Sequence, residues 1–188
     1  FQEHDYEFSQ GNITNDQFYS NMRYPDKVIS YSISSACTVQ KSQDMKDAFA
    51  FIENLTVLSF KEARSNEDIS IDCEDKVVPT QGGAFIAGEG GPTKIIVSGN
   101  YNVILQGHVL LIRDSNCEYP NIAIHELLHA LGFEHSTNKY NIMYNFTNCN
   151  QRIGGGVPQE INELYVADSL ADIIVKEASA SKHGIYFD

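Results

Sequence analysis

An α+β fold is predicted for this 188-residue chain. Three observations predict it: short segments with period-two alternation, segments whose apolar residues recur at helical spacing, and the order strand, helix, strand, further strands, helix, helix. The length suits one domain with a full core, and a hydrophobic fraction of 42% suits a globular protein.

Each element has its own signal. Residues 1–26 are polar and rich in Asn, Gln and Asp; they read as an extended lead-in, leaving 27–188 as a single domain. Residues 28–34 alternate Val28, Ser30, Ser32 and Ser34 against Ile29, Tyr31 and Ile33, a strand pattern. Ser42 is placed to cap a helix with Met45, Phe49, Ile52 and Leu55 on one face. Residues 68–73 alternate again, with Ile69 and Ile71 inward. Glycine-bounded strands follow at 84–87, 94–98, 103–105 and 108–113. The run Gly88-Glu89-Gly90-Gly91-Pro92 reads as a loop; it lacks the lysine and following helix of a phosphate-binding loop, which argues against nucleotides. Pro120 and Asn121 mark a helix start, with Asn121 a candidate N-cap and Ile124, Leu127, Leu128 and Leu131 as its apolar stripe. A last helix spans 158–175, with Ile161, Leu164, Tyr165, Leu170 and Ile173 apolar. There are no repeats, low-complexity tracts or domain linkers.

Charge and cysteine usage narrow the function class. A net charge of −12 argues against nucleic acid and anionic membranes as partners, and no apolar run is long enough to span a bilayer. The four cysteines, Cys37, Cys73, Cys117 and Cys149, form no C-x-x-C pair. In a secreted protein they make two disulfides with three possible connectivities; four reduced thiols are the alternative. We favour Cys37–Cys73, joining the ends of two strands expected to be parallel neighbours. Cys117–Cys149 would then brace the loop before the 121–131 helix against a later segment. Asn12, Asn54 and Asn145 each begin an N-glycosylation triplet. The chain starts at Phe1, which suggests that an N-terminal segment was removed, consistent with an extracellular location.

The chemistry is concentrated in residues 125–135, His-Glu-Leu-Leu-His-Ala-Leu-Gly-Phe-Glu-His. His125 and His129 are i and i+4 on a helix, so they share a face and can bind one metal ion. Glu126 lies beside them, where a carboxylate can take a proton from water. Gly132 can adopt the left-handed conformation that ends a helix, letting the chain turn and return His135 to the same point. Three neutral ligands with one open position describe a catalytic zinc site.

These residues resemble the metzincin metallopeptidases, whose long zinc motif is matched at His125, Glu126, His129, Gly132 and His135. Met143 in Asn141-Ile142-Met143-Tyr144 is similar to the methionine of that family's Met-turn. Within the metzincins the chain looks matrixin-like. Ser136 follows the third histidine as in matrixins, where astacins usually have glutamate. Leu58-Ser59-Phe60-Lys61-Glu62, followed by Asp68-Ile69-Ser70-Ile71, is similar to the matrixin pattern of a helix exit leading into the second strand. The chain departs from matrixins in lacking the structural-zinc segment and the cysteine switch. No tyrosine ligand is expected, since Asn145 stands where that tyrosine would be.

The resemblance implies a twisted sheet with a backing helix and an active-site helix above a cleft, and a small lower part with the Met-turn. It implies one zinc held by the three histidines and Glu126 as general base in an endopeptidase acting on protein or peptide substrates. It leaves calcium undecided. Substrate would lie extended along the sheet's edge, with the strand near 109–113 or the preceding segment as candidates. Tyr144 and Phe146 are candidates for the specificity-pocket wall. A monomer is expected. The competing readings are a zinc-stabilised non-catalytic binding module and a metal-dependent hydrolase of non-peptide amides or esters.

Overall fold

The structure, a computed structural model, describes residues 16–75 and 86–166. Six strands form one mixed sheet: β1 (Met22–Arg23), β2 (Val28–Ile33), β3 (Ser59–Glu62), β4 (Ile69–Cys73), β5 (Gly88–Ser98) and β6 (Tyr101–Leu111). Among the described residues three helices accompany it: α1 (Val39–Leu55), α2 (Asn121–Ala130) and α3 (Gly156–Leu164). The strand order is β1-β6-β4-β2-β3, with β5 also paired to β6. All pairings are parallel except β5 with β6, which is antiparallel.

The first strand–helix–strand unit follows the alternation in the sequence. Ile29 and Tyr31 of β2 and Ile69 and Ile71 of β4 are buried, and β2 pairs with β4 in register Tyr31 to Ile69. α1 lays Met45, Ala48, Phe49 and Ile52 on the core. The ring of Phe49 lies 4.2 Å from Tyr31 and 4.6 Å from Phe60 of β3. The helix begins earlier than Ser42: Thr38 is the N-cap, its hydroxyl accepting from the amide N–H of Lys41 at 3.2 Å. Cys37, just before that cap, is bonded to Cys73 at the end of β4, a crosslink between two parallel neighbours. The segment at 59–62 is a strand in its own right and pairs with β2, rather than serving as a helix exit.

Three expectations are corrected along the rest of the chain. The short strands expected at 103–105 and 108–113 are one strand, β6, and 94–98 is the second half of β5. Residues 84 and 85 lie outside the described residues, and 86–87 are outside any strand. The glycine run at 88–91 is the first half of β5 and not a loop. Glycine there reflects close approach: a Cβ on Gly90 would fall 2.2 Å from the Glu126 carbonyl oxygen. Strand β6 is paired on both sides, so residues 109–111 form no edge. Among the described residues β5 is paired on one side only, and Pro92 with its adjacent register shift suits such a position.

Residues 16–24 are integral to the core. Met22, Arg23 and Tyr24 are buried, and β1 pairs with the start of β6. Arg23 donates to the carbonyl oxygens of Tyr24, Pro25 and Leu164, with its guanidinium 4.3 Å from the Tyr165 ring. Tyr24 donates its amide to the Tyr165 hydroxyl and its own hydroxyl to the Ala130 carbonyl. Helix α3 buries Val157, Ile161 and Leu164 and ends at Leu164; the continuation expected to 175, with Leu170 and Ile173, falls largely outside the described residues.

Candidate active site

Helix α2 carries most of the site, and all its residues but Ile122 are buried. Its N-cap position is Pro120. Asn121 is the first helical residue, and its side-chain amide donates to the Asn148 carbonyl at 2.8 Å. Asn121 therefore ties the helix start to a later loop instead of capping it. At the other end Gly132 has φ +100°, a backbone that L side chains rarely adopt, and its amide closes onto the His129 carbonyl at 2.9 Å. A side chain there would also meet Met22 Cβ at 2.9 Å.

That turn sets the histidines. It swings the Phe133 carbonyl back to accept from Nδ1 of His129 at 2.7 Å. The Ile142 carbonyl, from the turn that carries Met143, accepts from Nδ1 of His125 at 2.6 Å. With Nδ1 committed as donor, Nε2 of each ring presents a lone pair. Burial reinforces this, pushing the pKa of both His125 and His129 down to about 4 and keeping them neutral. The Nε2 atoms converge: His129 to His125 at 3.0 Å and His129 to His135 at 3.1 Å. The ring of Phe18 stacks on His129 with centroids 5.7 Å apart.

Lone pairs at this distance repel one another unless a cation lies among them. Their ligand atoms all lie within 4.8 Å of one another. A tetrahedral zinc with Zn–N of ~2.1 Å sets N···N near ~3.4 Å. The donor set, its tautomers and its spacing thus fit zinc. His125, His129 and His135 are the metal-capable cluster among the described residues.

The histidines open onto a cleft of about 760 Å³. Residues 86–90, 113–117 and 145–149 line it, with Glu126 among the lining groups. Glu126 is 5% exposed. Burial, reinforced by the charge of Glu89, pushes its pKa up to about 8; a cation held by the three histidines would act in the opposite sense. Phe146 lines the cleft, whereas Tyr144 is not among its lining residues, and the two rings are 6.0 Å apart. The Cys117–Cys149 disulfide joins two of the cleft's walls. Met143 is buried next to Ile142, and its carbonyl accepts from the Ser136 amide at 2.8 Å.

Sequence reasoning did not find Phe18, the Phe133 and Ile142 carbonyls, or the wall at 86–90. The carbonyls carry no side-chain signal. Phe18 is distant in sequence from His129. The glycine run did carry a signal, that of a backbone needing to pass close to another element.

No curated protein matches the chain significantly. The family model for Astacin, a peptidase family, matches residues 16–153. This is a different metzincin branch from the matrixin one that Ser136 and the pattern at 58–71 suggested. The match runs across the sheet, α2 and the following loops, so one residue after the third histidine does not decide the branch. A three-histidine cluster suited to zinc, on a fold matched over most of its length, places this chain in the astacin family of zinc-dependent metallopeptidases.

Proposed function

We propose that this protein is a secreted zinc endopeptidase in which Glu126 is the general base. The observation that carries the reading is the convergence of the three Nε2 atoms in a cleft that Glu126 also lines. When bound, zinc supplies Lewis acidity that polarises a scissile carbonyl and eases deprotonation of water. His125, His129 and His135 hold it. Glu126 takes the proton of the attacking water and delivers it to the leaving amine. Its burial excludes bulk water from that exchange.

The turn 141–144 serves as the Met-turn. Its contribution is to fix the tautomer of His125 through the Ile142 carbonyl, with Met143 buried next in the chain. The side of β5 that is unpaired among the described residues offers main-chain groups to an extended peptide, and Phe146 forms part of the wall of the specificity pocket. Two disulfides support an extracellular setting.

The test is zinc-loaded Glu126→Gln and Glu126→Ala assayed on casein, quenched peptides and simple esters, with and without a chelator. Both variants are expected to keep fold and zinc and to lose about 10²–10⁴-fold in peptide hydrolysis. Near-native activity in Glu126→Ala would sink the mechanism. Ester cleavage without peptide cleavage would favour a non-peptide hydrolase, and a zinc-loaded native protein with neither would favour a binding module.

A further inference from the structure

We propose that Gly88, the first residue of β5, is a positioning residue for Glu126. The inference rests on the reading of Glu126 as general base. Gly88 and Gly90 alternate with Glu89 and Gly91, so the two share one face of the strand. That face lies on α2 at Glu126. A Cβ on Gly88 would fall 2.8 Å from Glu126 Cγ and 2.9 Å from its Oε1. It could not retreat towards β6, because the Leu110 carbonyl oxygen is also 2.9 Å away. Gly90 meets the main chain of the same residue, its hypothetical Cβ 2.2 Å from the Glu126 carbonyl oxygen. Gly91 faces open space, with nothing within 4 Å.

Strand β5 therefore acts as a bare wall against which the Glu126 carboxylate rests. It is anchored across from Glu126 by the antiparallel ladder, Gly88 opposite Leu111 and Glu89 opposite Leu110. The sheet cannot yield easily at Leu110, so a methyl group at position 88 displaces the side chain. Ordinary carbon contacts lie at about 3.5–4.0 Å, which makes the required shift ~1 Å. A misplacement of this size costs a proton-transfer group up to ~10²-fold in rate. The two inward glycines thus act on Glu126 at different levels: Gly88 on its side chain, Gly90 on its backbone and so on the fold.

The decisive experiment is a stability cycle of Gly88→Ala and Glu126→Ala in the metal-free protein, with Gly156→Ala as control, followed by kinetics of the zinc-loaded singles. Gly88→Ala is expected to lower Tm in the native background and to lose most of that effect in Glu126→Ala, where the side chain it presses on is gone. In peptide hydrolysis it should lower kcat by ~10- to 100-fold with KM and zinc stoichiometry little changed, while Gly156→Ala tracks the native protein, its Cβ facing open space on α3 away from the cleft. If Gly88→Ala does not fold alone, folding of the double variant supports the proposal and its failure overturns it. Equal Tm loss in both backgrounds, or a kcat matching Gly156→Ala, also overturns it. A zinc-loaded Glu126→Ala that remained active would instead strike at the general-base reading and leave the stability coupling as it is measured.

Discussion

Gly132 shows how much of the metal centre depends on one backbone angle. At φ +100° and with Met22 against its α-carbon, it lets the Phe133 carbonyl reach His129 and sends the chain back to His135. Gly132→Ala is expected to cost about 1–3 kcal/mol of stability and to weaken zinc binding, measured by urea unfolding of the metal-free protein and by competitive zinc titration. Unchanged zinc affinity would show that the turn is not what orients the second ligand. The histidines and Gly132 are legible in the sequence because helical periodicity and a glycine stop are local rules. The hydrogen-bond acceptors of His125 and His129 are main-chain atoms, which have no signature, and Phe18 reaches His129 only through tertiary packing.

Elements were read best where burial and alternation agree. β2 and β4 bury one face each, and the crosslink from Cys37 to Cys73 spans that pair. Alternation failed for β5, whose first half carries glycines where a packed strand would carry side chains; the helix beneath leaves no room for them. It also failed at β1, where Met22 and Arg23 are too short a run to show a period. The α2 start is where the sequence puts it, but the caps differ: Pro120 and Thr38 occupy the cap positions to which Asn121 and Ser42 are chemically suited.

The loops flanking α2 make a second element-scale prediction. Cys117–Cys149, the Asn121–Asn148 hydrogen bond and Arg152 over the Tyr119 ring at 5.3 Å hold two cleft walls together. The disulfide closes a loop with a sequence separation of 32. Replacing both cysteines with serine should lower stability by about 3–4 kcal/mol on the loop-entropy argument, read as the shift in urea midpoint. The native protein in reductant should lose more than this, because Cys37–Cys73 is reduced as well.

At the scale of the whole molecule, the first described residues and the last helix share an acidic contact. Burial, and then the charge of Asp16, pushes the Glu160 pKa up to about 7. A carboxyl group whose folded pKa lies above its unfolded value of ~4.3 binds more protons when folded. Its contribution to stability therefore falls as pH rises from about 4 towards 7 and levels off above that. Glu160→Gln should remove this slope. The expected result is a Tm advantage of the variant over the native protein that is larger at about pH 8 than at about pH 5. A gap independent of pH would show that Glu160 titrates normally.

Arg23 and Tyr24 find their partners at Leu164 and Tyr165, 141 positions later. Contacts of that separation carry a loop-closure cost and slow folding. They also impose an order on synthesis. The histidine motif leaves the ribosome well before Tyr165, yet Tyr24, whose hydroxyl secures the end of α2 at Ala130, gains the partner for its own amide only when Tyr165 arrives. A nascent chain thus displays its metal-binding histidines before Tyr165 is available to fix Tyr24, and so before the contacts around the end of their helix are complete.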